Sequence, residues 1–298
     1  MVTMTEPTFL ITGATGYLGR RLVREAATHG RVYAAARRPP AAAPVAIPVE
    51  LDVSDRSAVQ RVVHELKPAF IIHAAAVNPG QGDEETMWRV NADGSGHVAE
   101  AASAVGSRLV AISTDVVHDG RHGPYDDDAA ANPINHYGRS KAAGESATLE
   151  HARDASVVRA SLMYALDEMD RGTASFAERI NRGEPQTLFS DVLRNPIRVD
   201  TLAAAIVRLV ETAHSGTLNI AGRQVLSRDE YGRRMLEYWG VATDGLVEAA
   251  LAADISGSIP LDLRLTIDRA EELLAMDLAG VDAVLDMAPG AAANEPGF

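Results

Sequence analysis

Residues 8–19 read TFLITGATGYLG and place three glycines between an apolar run and an amphipathic run. The apolar run predicts a strand over Thr8–Thr12, and the amphipathic run predicts a helix over residues 17–29 that Gly30 ends. In such a unit the first glycine permits a tight turn, the second lets the backbone approach a pyrophosphate, and the third brings helix and sheet close. The helix N-terminus adds an attraction for phosphate. The stretch predicts a dinucleotide site, with a purely structural turn as the alternative; its residues are Gly13, Thr15, Gly16, Tyr17, Leu18 and Gly19.

Strands and helices continue to alternate through the first half of the chain. Further strands are predicted over residues 31–36, 49–53, 69–73, 107–113 and 155–159, and helices over 56–66, 85–105 and 136–151. This alternation predicts an α/β fold, a Rossmann-type doubly wound parallel sheet. We expect residues 1–160 to form the dinucleotide-binding domain, with segments near 197–222 returning to it. Residues 161–298 are expected to form mainly a smaller C-terminal substrate lobe.

Composition excludes several functional classes. The 28 basic and 41 acidic residues give a net charge of −13, which argues against a nucleic-acid partner or an anionic membrane surface. The chain has no cysteine, so disulfides, thiolate catalysis and Cys-ligated metals are excluded. His118 and His122 flank Asp119 in a glycine-rich loop without helical spacing, and we predict no metal site. With no apolar run of about 18 residues and no signal-peptide pattern, we expect a cytoplasmic protein.

The end of the second strand bears on the choice of cofactor. An NAD site usually has Asp or Glu there for the ribose hydroxyl, but this chain has Arg37 and Arg38, which suit a 2′-phosphate. NADP is therefore favoured, NAD remains open, and a solvated loop is the alternative for the two arginines. Asp52, followed by Val53, is a candidate for adenine contact or for a helix cap. Small residues after the core His73 would allow close approach of the cofactor: Ala74, Ala75 and Ala76.

Tyr137 and Lys141 share one face of a predicted helix, because they stand four residues apart. A free phenol has a pKa of about 10, and a nearby ammonium lowers it toward the range of general acid–base catalysis. The chain has only two lysines, and the other, Lys67, has no such neighbour. Ser113 and Thr114 end a strand, where a hydroxyl can hold a substrate carbonyl. Asn91 lies inside a predicted helix, where it could bend the helix and support a proton-relay water to Lys141.

Together these residues resemble the extended short-chain dehydrogenase/reductases. The glycine motif, Asn91, Ser113-Thr114 and Tyr137/Lys141 carry the resemblance, which covers nearly the whole chain. Residues 112–120 (ISTDVVHDG) and 132–145 (NPINHYGRSKAAGE) resemble the dTDP-4-dehydrorhamnose reductase branch. The resemblance is weaker in the C-terminal lobe, where residues 191–197 (DVLRNPI) match the corresponding segment of that branch only in general pattern.

The resemblance implies NAD(P)H-dependent reduction of a small-molecule carbonyl substrate, the 4-keto group of a nucleotide-linked deoxysugar. It implies that Thr114 orients the carbonyl, with Ser113 as the fallback hydroxyl, that Tyr137 is the general acid, and that Lys141 tunes Tyr137 and holds the ribose. We expect Arg159 and Arg194 in the substrate wall. A homodimer through the helices near 86–105 and 137–151 is a further expectation, with apolar outer faces.

Other activities within the same superfamily stay open. Dehydratases place Glu after Thr-Asp as the base for water elimination, and Val116 occupies that position here, which disfavours dehydration. A nucleotide-sugar epimerase is a further alternative, although Arg37-Arg38 favours an exchangeable NADPH. The alternative from a different class is a non-catalytic NADP-binding regulatory subunit resembling the methionine adenosyltransferase β-subunit.

Overall fold

The computed structural model describes residues 6–40, 44–243 and 245–288. Its strands are β1 (Thr8–Thr12), β2 (Arg31–Ala36), β3 (Ile47–Glu50), β4 (Phe70–His73), β5 (Arg108–Thr114), β6 (Ala155–Ala160), β7 (Met163–Tyr164), β8 (Gln186–Phe189), β9 (Leu193–Arg194), β10 (Ile197–Arg198), β11 (Gly216–Ile220), β12 (Leu226–Ser227) and β13 (Val247–Ala250). Its α-helices are α1 (Tyr17–Ala26), α2 (Arg56–Leu66), α3 (Glu84–Trp88), α4 (Gly94–Val105), α5 (His136–His151), α6 (Arg171–Asn181), α7 (Val199–Val210), α8 (Arg228–Tyr238), α9 (Asp268–Leu274) and α10 (Val281–Met287).

Seven parallel strands form the central sheet in the order β11-β6-β5-β4-β1-β2-β3. From β1 the chain moves outward through β2 and β3, then returns to build the other half from β4. The strand order therefore reverses between β1 and β4, and ligands of open α/β sheets bind at such a point, beyond the carboxyl ends of the strands. The predicted doubly wound α/β fold is confirmed.

Helices cover both faces of the sheet. One face packs against α1, α7 and α9 through a core that includes Phe9, Leu22 and Leu202. The opposite face packs against α2 and α4, with Leu10, Val59 and Val98 in its core. Helix α5 lies beside α4 and contacts β5 and β6. No helix among the described residues is long and apolar enough to span a membrane.

Three predicted elements differ from the structure. The first helix ends at Ala26 and not at His29, because the N–H groups of Thr28 and His29 bond to carbonyls only three residues back. The third strand begins and ends earlier than predicted, because Leu51 and Val53 turn into the core and Asp52 accepts hydrogen bonds from Ser54 instead of continuing the ladder. The helix predicted over residues 85–105 is interrupted by a π-helical turn over Arg89–Asp93. This turn separates α3 from α4 and contains Asn91.

The C-terminal half forms a lobe of short paired strands and helices. The strand pairs are β7 with β10, β8 with β13, and β9 with β12. Two-residue strands carry too little periodicity to be predicted from sequence. The segment from β10 to β11 returns to the main body, where α7 packs on α1 and β11 becomes an edge strand of the central sheet. The division into two domains stays a prediction.

Candidate cofactor and catalytic site

A cleft of about 650 Å³ opens beyond the carboxyl ends of β1, β4 and β5. Apart from Asn91, Arg159 and Arg194, every residue that the sequence predicted for the site lines it. These residues are Gly13, Thr15, Gly16, Tyr17, Leu18, Gly19, Arg37, Arg38, Asp52, Val53, Ala74, Ala75, Ala76, Ser113, Thr114, Tyr137 and Lys141.

The glycine turn has the geometry that a phosphate cradle requires. Gly13 has φ +69°, and a Cβ there would lie 2.6 Å from the Ala74 carbonyl oxygen. A Cβ on Gly19 would collide with the Gly13 carbonyl, so the helix can approach only with glycine there. Gly16 is the N-cap of α1 and leaves the first N–H groups without a side-chain cap, and the first turn carries no acidic residue. Such a helix N-terminus suits the pyrophosphate of a dinucleotide.

The adenosine end of the cleft carries two guanidinium groups and one carboxylate. Arg37 and Arg38 are exposed at the end of β2, and Asp52 is half-buried opposite them. Burial raises the pKa of Asp52, but hydrogen bonds from Ser54 and the charge of Arg37 together lower it by more than burial raises it. The pKa of this carboxyl is therefore below its ordinary value. The cap of α2 is Asp55, which accepts from Ala58 N–H at 3.0 Å. The helix-cap interpretation of Asp52 is therefore wrong, and its carboxylate faces the cleft.

Tyr137 and Lys141 both reach the cleft from the first turns of α5, which Asn135 caps by accepting from Gly138 N–H at 2.8 Å. The Lys141 Nζ donates to the Ile112 carbonyl at 2.7 Å, and the side chain is almost fully buried. Burial lowers the pKa of Lys141 to about 8, against the opposing charge of Glu145. An ammonium that releases its proton this easily is unusual and is typical of functional sites.

The phenol does not have the lowered pKa that the sequence predicts. Burial raises the pKa of Tyr137 to about 12, and the charge of Asp115 raises it further, while Arg194 and a hydrogen bond with Thr114 lower it. The expectation was wrong, because desolvation of the phenolate outweighs the nearby cations. The Lys141 ammonium itself is directed at the backbone of β5.

Ser113 and Arg159 belong to a buried network behind the cleft. The Ser113 Oγ donates to Glu145 Oε1, and Arg159 Nη2 pairs with Glu145 Oε2 at 2.8 Å. The proton of Ser113 is thus directed at Glu145, whose charge supports the ammonium of Lys141. Arg159 and Arg194 were expected in the substrate wall. This expectation was wrong for both, because buried carboxylates hold their guanidinium groups, Glu145 that of Arg159 and Asp115 that of Arg194.

Asn91 is fully buried within the π-helical turn and does not line the cleft. Its Oδ1 accepts from Val77 N–H at 2.8 Å, and its Nδ2 donates to the Val77 carbonyl at 3.0 Å and to Ser140 Oγ at 3.0 Å. Asn91 therefore joins the loop after β4 to α5, one residue before Lys141. Its support for a relay water stays a prediction.

A second, smaller cavity of about 50 Å³ adjoins the cleft at Met163 and contains residues that the sequence did not single out. Arg228 and the buried Tyr231 of α8 line it, and the Tyr231 hydroxyl makes no hydrogen bond among the described residues. Asp170 also lines it, but that carboxylate caps α6 through Gly172 and Thr173. No sequence signal marks Arg228, because its place beside the cleft depends on how the lobe folds back.

Comparison with known proteins identifies the family. A family model described as the RmlD substrate binding domain matches residues 7–259. The chain belongs to this RmlD family. The dTDP-4-dehydrorhamnose reductase of Mycobacterium tuberculosis (strain ATCC 25618 / H37Rv) is 31% identical over 241 residues, which cover 78% of this chain and 75% of that protein. Methionine adenosyltransferase 2 subunit beta of Bos taurus is 27% identical over 277 residues, 89% of this chain and 81% of that protein.

A solved structure in the same family has the same fold. The crystal structure of dTDP-4-dehydrorhamnose reductase from Bacillus anthracis str. Ames, in complex with NADP, has a TM-score of 0.80 at 26% sequence identity. The match covers 95% of this chain and 98% of that one. The predicted membership of the RmlD-like branch of extended short-chain dehydrogenase/reductases is confirmed, and with it the enzyme class of NAD(P)-dependent reductases.

Proposed function

We propose that this RmlD-family chain reduces the keto group of a nucleotide-linked deoxysugar with NADPH, and that Tyr137 is the general acid. The observation that carries the proposal is the convergence of three groups on one cleft that also contains the phosphate cradle: the Thr114 hydroxyl, the Tyr137 phenol and the Lys141 amine. A regulatory protein needs a cradle, but it has no chemical need for these side chains.

The residues of the cleft fit NADP. The uncapped N-terminus of α1 suits the pyrophosphate, Arg37 and Arg38 suit the 2′-phosphate, and the buried Lys141 suits a hydroxyl of the nicotinamide ribose. NAD remains a possible second cofactor, because no residue of the cleft excludes a 2′-hydroxyl. When bound, the nicotinamide supplies the hydride.

The protein residues supply the proton and hold the reacting carbonyl. Tyr137 keeps its proton at neutral pH, because the pKa of its phenol is raised to about 12. A neutral phenol can donate a hydrogen bond to a carbonyl oxygen and then its proton as charge develops on that oxygen. Lys141 lies one helical turn from Tyr137, where its positive charge stabilises the phenolate that this transfer leaves.

Charge near the substrate end supports a nucleotide-linked substrate. Arg171 lines the cleft itself, and Arg228 lines the adjoining cavity. Guanidinium groups at this end suit a diphosphate better than they suit a small apolar ketone. The names of the reductase relatives direct the proposal to dTDP-4-dehydrorhamnose as the first compound to test.

The test is NADPH oxidation followed by absorbance with dTDP-4-dehydrorhamnose, other keto-sugar nucleotides and simple ketones and aldehydes. We expect turnover with a keto-sugar nucleotide and loss of at least about 100-fold in Tyr137→Phe, with NADP binding unchanged. Tight NADP binding without turnover of any carbonyl compound contradicts the proposal.

A second candidate is a non-catalytic NADP-binding regulatory subunit. It is supported by the similarity to methionine adenosyltransferase 2 subunit beta, which extends over 89% of this chain, against 78% for the mycobacterial reductase. The two candidates differ in the effect of Tyr137→Phe. A regulatory role tolerates this variant, whereas the reductase loses its activity.

A homodimer stays a prediction. The exposed residues of α5 include Arg139, Ser146 and Glu150, with Leu149 as an exposed apolar residue among them. This mainly polar surface differs from the apolar outer face that we expected for a helix at a dimer interface. Sedimentation equilibrium of the wild type and of Leu149→Glu measures the assembly directly.

A further inference from the structure

A buried ion pair lies directly beside the proposed acid. Asp115 follows Thr114 at the end of β5 and is 1% exposed. It accepts from Arg194 Nη1, which lies 2.7 Å from both carboxylate oxygens, and from Ser161 Oγ at 2.7 Å. Since Arg194 is on β9 of the C-terminal lobe, the pair ties the lobe to the strand that carries the catalytic hydroxyl.

The ion pair determines the direction of the Thr114 hydroxyl. Thr114 Oγ1 donates to Asp115 Oδ1 at 3.1 Å and accepts from the Val116 N–H at 3.3 Å. A hydroxyl has one proton, and a carboxylate can only accept. The proton of Thr114 is therefore directed at Asp115, and Thr114 offers the cleft a lone pair and not a proton.

We propose that Asp115 and Arg194 are positioning residues of the reductase site, which orient the Thr114 hydroxyl and set the charge beside the Tyr137 phenol. This inference rests on the proposed function. Before a substrate carbonyl is bound, Thr114 can accept the hydrogen bond of the neutral Tyr137 phenol, and the carbonyl oxygen then replaces Thr114 as the acceptor. Once Tyr137 has given up its proton, the Thr114 hydroxyl turns to the phenolate, and Asp115 keeps its hydrogen bonds from Arg194 and Ser161. Thr114 thus acts on Tyr137, and it donates no hydrogen bond to the substrate carbonyl while its proton is held by Asp115.

The charged groups around the phenol agree with this arrangement. Asp115 raises the pKa of Tyr137, while Arg194 and the hydrogen bond with Thr114 lower it. Lys141, on the same helix as Tyr137, is held by the Ile112 carbonyl. Removing either member of the ion pair leaves the other charge uncompensated beside the phenol. The two removals should therefore shift the pKa of Tyr137 in opposite directions.

The test measures ionisation of Tyr137 without any carbonyl substrate, so its failure is separate from failure of the proposed reaction. Tyrosinate absorbance is titrated in the NADP-bound protein, and the same titration in a matched Tyr137→Phe background is subtracted. We expect Tyr137 to titrate about 1 pH unit or more lower in Asp115→Asn, and higher than the wild type in Arg194→Gln. Shifts in the same direction, or titration of both variants as in the wild type, would overturn the inference.

Loss of one partner from a buried ion pair also destabilises a fold, and two further variants separate this effect. Asp115→Asn/Arg194→Gln leaves no uncompensated charge, and Tyr137 should then titrate between the two single variants. Arg108→Gln breaks the Arg108–Asp154 pair elsewhere in the fold, and the titration of Tyr137 should not move. If Arg108→Gln shifts Tyr137 as much as Arg194→Gln does, the effect is structural and the inference is wrong.

Discussion

Lys141 shows how much one residue type can indicate in a biased composition. The chain has 28 basic residues, of which only Lys67 and Lys141 are lysines. Lys141 is 5% exposed and places its Nζ 2.7 Å from the Ile112 carbonyl. Lys67 is exposed and ends α2 with a positive φ of 42°. The two lysines therefore offer a matched pair for substitution.

We expect Lys141→Arg to lose activity by about 100-fold or more, because a planar guanidinium is larger than the buried ammonium and cannot take its place beside β5. Lys67→Arg should retain activity within a factor of about two, because its side chain is solvated. The measurement is kcat and KM for NADPH-dependent carbonyl reduction, with melting temperatures to confirm folding. Equal losses in the two variants would contradict the role of Lys141.

Arg37 and Arg38 should determine the preference between the two nicotinamide dinucleotides. Replacing both with serine removes the cations at the end of β2 and leaves the glycine turn unchanged. We expect the Kd for NADPH to rise at least about 10-fold, because one or more charge-assisted hydrogen bonds to the 2′-phosphate are lost. The Kd for NADH should change little. Titration calorimetry measures both. Arg31→Ser, an exposed cation at the other end of β2, is the control; an equal loss there would indicate a general charge effect.

His118 is a buried imidazole that no catalytic step uses. Its ring stacks on Tyr125 at 4.0 Å, and neither ring nitrogen makes a hydrogen bond among the described residues. Burial, with the charge of Arg159, lowers the pKa of His118 to about 4. Below about pH 6.5 the imidazole is protonated in the unfolded chain but stays neutral in the folded protein. The free energy of unfolding therefore falls as the pH drops from about 6.5 to about 4.

His118→Phe should keep the stacking and remove this acid sensitivity. We expect it to be as stable as the wild type or more stable at pH 7, because two unpaired nitrogens are removed. Between pH 6.5 and 4 the wild type should lose up to about 1.4 kcal/mol per pH unit more than the variant. Urea unfolding across this range measures both. His122→Gln, at an exposed histidine, is the control. If His118→Phe loses stability with falling pH as steeply as the wild type, the acid sensitivity does not come from His118.

At the scale of elements, the contact between α4 and α5 fixes the position of the catalytic helix. The π-helical turn before α4 directs the Asn91 carbonyl at Gly144 of α5, where a Cβ would come much too close to that oxygen. Gly96 of α4 also faces α5, but a Cβ there would lie an ordinary 3.5 Å from Ala147 Cβ. One contact between these helices therefore requires glycine, and the other does not.

Gly144→Ala should destabilise the protein and displace Lys141, while Gly96→Ala should be neutral or stabilising. The first substitution forces a methyl group against backbone, at a cost of about 1–3 kcal/mol, and we expect reduced activity in the folded fraction. The second adds helix propensity of up to about 1 kcal/mol without a clash. Unfolding free energies of the two variants test the difference. Equal destabilisation would mean that helix packing tolerates neither methyl group.

At the scale of the whole molecule, the sequence predicts the features that short local motifs encode. It does not predict the features that depend on contacts formed when the C-terminal lobe folds back on the sheet. The glycine turn and the Tyr137/Lys141 pair predict the cleft, because each is a short motif whose residue types and spacing suit a known chemical role. The raised pKa of Tyr137 was not predictable, because it depends on burial and on Asp115. Arg228 was missed for a similar reason, since α8 approaches the cleft only after the lobe has folded. The two-residue strands of that lobe carry no period.

Whether residues 1–160 form an independent domain can be decided by the behaviour of that fragment. The core on the α1 face includes Phe9 and Val110 from the first half and Leu202, Ile206 and Leu218 from the returning segment. Without residues 161–298, β6 keeps β5 as a neighbour but becomes an open edge strand, and this apolar face is exposed to water.

We therefore expect the fragment of residues 1–160 to aggregate or to lack a cooperative thermal transition, and the full chain to unfold in a single transition. Circular dichroism and calorimetry compare the two, with and without NADP, which should raise the melting temperature of the full chain only. A fragment that includes residues 1–222 restores α7 and β11 and is the matched control. A sharp transition in the shorter fragment would show that the first half is a self-sufficient domain that folds without the returning segment.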